Sequence, residues 1–232
     1  MSSRPSPAPD LAIRPSLLGR AVGGFGTSII GGALLGAASW FSDELGFPLG
    51  LLLPVNLIGV WLGVAFALGA SARTIPTGAL RGLVGLLSAV AAYYLLIGTF
   101  GEGFRAIGAT HAATVWGIVA LVAGPVLGAA GATWRHSLGW PRALAVALLA
   151  AAFIGEGIVF GAVRWLALTD LTTDPGAFIL IAEAVIGLVL PWVLLRPDER
   201  LRGYLATAGF AVAAALAIGP VTTVIREFAD RF

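Results

Sequence analysis

The chain has no cysteine, no lysine and only two histidines in 232 residues. Without cysteine there can be no disulfide, no thiolate metal ligand and no cysteine nucleophile. Without lysine the phosphate-gripping loop G-x-x-x-x-G-K-[ST] cannot be built, so a nucleotide motor of that kind is excluded. His111 and His136 fall on opposite predicted sides of the molecule, which argues against a histidine metal site and against a Ser-His-Asp triad. Charge is scarce as well. Only 11% of the residues are ionised side chains, where a soluble domain carries about a quarter.

What is present is apolar. Hydrophobic residues make up 58% of the chain and the mean hydropathy is +0.95. So little charge cannot cover a surface that faces water, so most of the surface must face lipid. The net charge of +2 and pI of 9.7 do not indicate nucleic-acid binding, because the arginines are spread over short loops rather than one face. An all-arginine basic set beside abundant Gly and Ala points to a GC-rich bacterial genome.

The expected fold class is all-α: a polytopic transmembrane bundle of about seven spans, N-terminus inside and C-terminus outside. Residues 1–16, rich in Pro and Ser, read as a disordered cytosolic tail. The seven-helix domain is expected over 17–226, and 227–232 as a short external tail. Apolar segments near the ~20 residues that a bilayer core requires fall at about 19–41, 49–71, 80–100, 113–133, 143–166, 176–195 and 203–225. Pro54, Pro125, Pro191 and Pro220 lie inside them, as kinks that a membrane bundle tolerates.

Arginine sets the direction. Arg4, Arg14 and Arg20 share one side with the turns carrying Arg73/Arg81, Arg135/Arg142 and Arg196/Arg200/Arg202, while Asp43, Glu44, Glu102, Asp170 and Asp174 fall opposite. The positive-inside bias makes the first side cytosolic. Those turns, RTIPTGALRG, RHSLGWPRA and RPDERLRG, also resemble one another. They suggest one solitary helix followed by three hairpins repeated in parallel, an arrangement known in transporters. Pairs of glycines four apart (Gly32/Gly36, Gly59/Gly63, Gly124/Gly128, Gly157/Gly161) would let helix backbones approach closely.

Few residues could carry chemistry. Glu156 lies 14 positions after Arg142, about 21 Å along a helix, and so in the outer half of a ~30 Å core. Glu183, on the next predicted span, lies at a similar depth. A charge at mid-membrane costs at least ~2.5–3.5 kcal/mol, so both should face the bundle interior, a partner or water. Arg164, two turns above Glu156 on the same face, is the natural partner of either. Asn56, Tyr93 and Tyr94 belong to the same outer layer, and Trp61 lies deeper on the Asn56 helix. This layer is either an outward-opening pocket for a cation, proton or amine, or a hydrogen-bonded cluster that only fixes packing. Asp170 and Asp174 read as a solvated cap before Pro175, so no metal site and no cofactor are expected. Trp40, Trp116, Trp134, Trp140 and Trp165 sit at predicted span ends, as an interfacial belt would.

Asn56-x4-Trp61 with Gly63 and Ala65-Phe66, Tyr93-Tyr94, Gly124-Pro125-x-x-Gly128-x-x-Gly131 with Trp134-Arg135, and Glu156 together resemble a family of small actinobacterial integral membrane proteins, known as a domain of unknown function. The resemblance spans roughly 25–215 and implies a multi-pass bacterial membrane protein with no assigned activity. Three roles stay open for a protein of the cytoplasmic membrane. One is a transporter or substrate-capture subunit that holds a small ligand and works with an energising partner. The second is a structural or accessory membrane protein that takes no ligand and whose polar layer is purely architectural. The third is a membrane-embedded enzyme, such as an isoprenoid cyclase using a buried glutamate.

Overall fold

Helix α3, Ile75–Phe100, shows how this sequence starts and stops a span. Thr74 is extended and its Oγ1 accepts the Thr77 N–H at 3.3 Å, while Pro76 in the first turn gives up an N–H that would lack a helical partner anyway. At the other end the Gly101 N–H closes on the Ile97 carbonyl at 2.7 Å. The computed structural model describes the backbone of residues 17–45, 54–101, 104–167 and 175–213, and the side chains of 24–45, 55–101, 108–158 and 181–213.

The remaining elements are α1 (Leu17–Leu45), a 3-10 turn at Pro54–Asn56, α2 (Ile58–Ala70), α4 (Phe104–His136), α5 (Trp140–Ala167), α6 (Pro175–Leu194) and α7, helical over 200–213. No strand occurs among the described residues. Helices α1, α3, α4 and α5 are long and apolar enough to cross a membrane, which is the mark of a membrane-embedded multi-pass protein.

The second segment is shorter than its hydropathy implies. An apolar run was expected to cross from 49, but helix begins only at Ile58, after the 3-10 turn that Pro54 opens. Proline has no N–H to give, and the turn's polar Asn56 faces out rather than continuing the span. Pro125 and Pro191, by contrast, do lie inside α4 and α6. The expected seventh span runs beyond residue 213, and Pro220 and both predicted tails also lie outside the described residues.

Packing is the inverse of a water-soluble core. Large side chains point outward, with Leu95 68% and Val122 66% exposed, while Ala65, Ala89, Ala132 and Ala147 are sealed inside. That is how helices associate in lipid, where close backbone contact replaces the hydrophobic effect. Helix α4 is the hub, packing against α2, α3 and α5, while α1 lies on α3 and α6 on α5. A Cβ on Gly131 would overlap the Phe66 carbonyl, and one on Gly128 the Gly78 carbonyl, so these contacts are closed to any larger residue. Gly32 and Gly36 meet α3 in the same way, whereas Gly59 and Gly63 face Phe153, and the surroundings of Gly161 lie outside the described residues.

The three arginine-bounded turns are tied together at one end of the bundle. His136 Nε2 donates to the Ala72 carbonyl at 2.8 Å, joining the first turn to the second. The Gly139 N–H donates to Glu199 Oε1 at 2.6 Å and Trp134 Nε1–H to the Leu194 carbonyl at 2.9 Å, joining the second to the third. Arg81 closes its own turn through the Ser71 carbonyl and hydroxyl, at 3.0 and 2.9 Å.

Candidate binding pocket

The opposite end of the bundle takes its form from the late start of α2. Its 13 residues span about 20 Å, roughly two thirds of a ~30 Å hydrocarbon core. The first turn of α2 therefore lies within the depth of the bundle, where its orphan N–H groups cannot turn to bulk water. Leu57, at the N-cap position, offers no side-chain acceptor. Glu156 reaches across from α5 instead. Its Oε1 accepts the Ile58 N–H at 2.9 Å and its Oε2 the Gly59 N–H at 2.6 Å. A carboxylate here answers both the unpaired donors and the positive end of the helix dipole.

Beside this turn lies a cavity of about 220 Å³ bounded by α1, α2, α3 and α4. Its polar corner is built on Asp43. Asn56 Nδ2–H donates to Asp43 Oδ1 at 2.6 Å, and the Tyr93 hydroxyl donates to Asp43 Oδ2. Trp61 is locked by its indole N–H, which donates to the Val55 carbonyl at 2.7 Å and to Ser39 Oγ at 3.2 Å. Tyr93 stands edge-on to Trp61, with centroids 6.4 Å apart, and to Tyr94, at 4.9 Å. Trp116 of α4 closes the aromatic wall, and Leu62, Leu86, Val90 and Ala120 form the apolar floor.

A second carboxyl lies behind the α2 turn. Glu183 of α6 is fully buried, and neither of its oxygens receives a hydrogen bond from the described residues. It occupies space that Gly59 leaves open, since a Cβ there would come within 2.5 Å of Glu183 Oε1. Glu156 is its electrostatic neighbour, within reach of a side-chain contact.

The layer expected from residue counting is thus divided in two. Asn56, Trp61, Tyr93 and Tyr94 meet at one cavity, while Glu156 and Glu183 meet at the first turn of α2 and do not line that cavity. Ile58 belongs to both, lining the cavity and donating to Glu156. The side chain of Arg164 lies outside the described residues, as do Asp170 and Asp174. Among the described residues no group of three potential ligands could hold a metal ion. Two cavity residues, Asp43 and Trp116, had been read only as an outer-loop charge and a belt tryptophan. The signal for Asp43 was its place in the last turn of α1, level with Asn56.

Asp43 spends two lone pairs on Asn56 and Tyr93 and keeps others for a ligand. The rings beside it present electron-rich faces that attract cations. Among the described residues no basic side chain lines the cavity. A family of unknown function, DUF6518, matches residues 16–226, and the chain belongs to that family. No curated protein and no solved structure gives a significant match.

Proposed function

We propose that this member of the family binds a small organic cation of the ammonium class in the cavity at Asp43, as a transporter or as the capture subunit of one, in a bacterial cytoplasmic membrane. The observation that carries this reading is the lining itself: one carboxylate, four aromatic rings (Trp61, Tyr93, Tyr94, Trp116) and, among the described residues, no balancing basic side chain. An aromatic wall next to an acid is the chemistry that recognises substituted ammonium ions, worth ~0.5–2 kcal/mol per ring–cation contact as desolvation increases. The positive-inside bias supports an outward opening, because the cavity lies at the end away from the arginine turns. An energising subunit would then act on the same chain from the turn side.

The accessory reading is favoured by one observation: Glu156 spends both oxygens on the α2 backbone, a purely structural use. The cyclase reading draws less support, since Asp43 acts as an acceptor from two donors and not as a proton source.

The test compares choline with its neutral tert-butyl isostere, by thermal shift and calorimetry on purified protein. The ammonium should bind and stabilise while the isostere does not. Asp43→Asn should weaken binding at least about tenfold, ~1.4 kcal/mol, and Trp61→Leu by a smaller factor. Equal binding of the two probes, or no response to any member of a primary-to-quaternary ammonium panel, leaves the accessory reading in possession.

A further inference from the structure

The two glutamates at the start of α2 pose a problem that the cavity does not solve. Among the described residues Glu183 is fully buried with no hydrogen bond to either oxygen, and the ionisable group beside it is another carboxyl. Helix α6 packs on α5, which contributes Glu156, and reaches α2 at Gly59; α2 itself carries no ionisable residue from Ile58 to Ala70. Asp43 and Tyr93 belong to the neighbouring cavity and are bonded to each other there. Two carboxylates facing each other are two acceptors with no hydrogen between them. Burying both as anions would add like-charge repulsion to the cost of desolvation. Glu156 is held as the acceptor by the Ile58 and Gly59 N–H groups, whereas the one described donor beside Glu183, the Gly59 N–H, is already given to Glu156.

We propose that Glu156 and Glu183 hold one proton between them, forming a proton-binding site at the N-terminus of α2. A proton from water converts the Glu183 carboxylate to the acid, and its O–H donates to a lone pair that Glu156 has not spent on the backbone. One proton thus supplies the missing donor and removes one buried charge. A metal ion fits less well, because Glu156 already faces the positive end of a helix and the described residues provide no third acidic or histidine ligand. The site stands independently of what the cavity binds. Ile58 nevertheless connects the two, so gain or loss of the proton is felt at the cavity wall.

Infrared spectroscopy of the purified full-length protein reads this site directly. At neutral pH the wild type should show a carboxylic-acid C=O band that disappears as pH is raised. Glu183→Gln, eluting as a folded species, should lack the band, and Glu183→Leu serves if the glutamine variant does not fold. The Trp61 emission should titrate with the band in the wild type and stay flat in the variant. The proposal is overturned by three results: no acid band at neutral pH, as when Arg164 or a metal ion keeps both carboxyls ionised; a band that survives both substitutions; or a band that appears only when sodium is replaced by an inert cation. Ammonium binding in the Asp43 test can fail while the band is present, and the reverse, so the two readings fail separately.

Discussion

Two glutamates, one near each end of the bundle, perform the same mechanical task in different company. At the turn end Glu199, 2% exposed, accepts the Gly139 N–H at 2.6 Å and the Arg196 N–H at 3.4 Å. At the cavity end Glu156 accepts the Ile58 and Gly59 N–H groups. Each ties one backbone segment to another where water is scarce. The difference is the third participant. Glu199 has Arg142 at 3.8 Å, so its charge is balanced. Glu156 has Glu183, and the cavity next door adds Asp43. The Glu199 site is paired with a cation and so reads as structure, while the cavity end carries negative charge in excess of its described cations. A surplus kept in a low-dielectric place needs a compensating proton or ligand. The lesson is that a buried acid signals function through what fails to neutralise it.

The sharpest way to break this comparison is Glu199→Ala. It removes the acceptor for two N–H groups and leaves Arg142 without its acid, so the expected loss is about 3 kcal/mol or more. Thermal unfolding in detergent, followed by helical circular dichroism, measures it. A variant as stable as wild type would mean that the turns are held by apolar packing alone. Glu156→Gln should cost less, about 1–3 kcal/mol, because the amide keeps one acceptor oxygen for the backbone but loses the charge facing the helix dipole. If Glu156 is a cap, that variant loses stability and keeps choline affinity to within about tenfold. Affinity lost at unchanged melting temperature would move Glu156 into the ligand site.

Much of this layout could be read from residue counting, and the parts that could not have a common physical cause. Rise per residue puts Glu156, counted from Arg142, and Glu183, counted from Gly176, at a similar depth, and the two carboxyls are neighbours at the first turn of α2. Asn56, Tyr93 and Tyr94 form one layer by depth, with Trp61 deeper on the Asn56 helix, and all four line one cavity. What hydropathy concealed was the start of α2. An apolar run looks the same whether it is helix or extended chain, and the break at Pro54–Asn56 rests on one missing N–H. The partner of Glu156 was hidden for a related reason: backbone N–H groups carry no side-chain signature, so a carboxylate that caps a helix looks in sequence like one awaiting a ligand. Arg164 was the partner that side chains alone proposed.

The mildest probe of the two ends uses glycine. Gly139, in the turn between α4 and α5, has φ +67°, a left-handed conformation. A Cβ there would meet nothing closer than Arg202 Nη1 at 3.5 Å, an ordinary contact. Gly139→Ala therefore isolates the backbone cost, expected at about 1 kcal/mol of destabilisation. Gly155, one residue before Glu156, sits inside α5, and a Cβ there would meet nothing within 4 Å. Gly155→Ala should stabilise by up to about 1 kcal/mol, because alanine gives up less backbone freedom in forming a helix. The pair is read as two melting temperatures against wild type, one lower and one higher. Opposite signs fit a turn end strained into its latch and a cavity end with space beside the Glu156 cap. If Gly155→Ala also destabilises, the space beside that cap is filled in the working protein, by lipid, a second chain or another part of this one. The surplus of charge at that end would then have to be counted again with the new neighbour included.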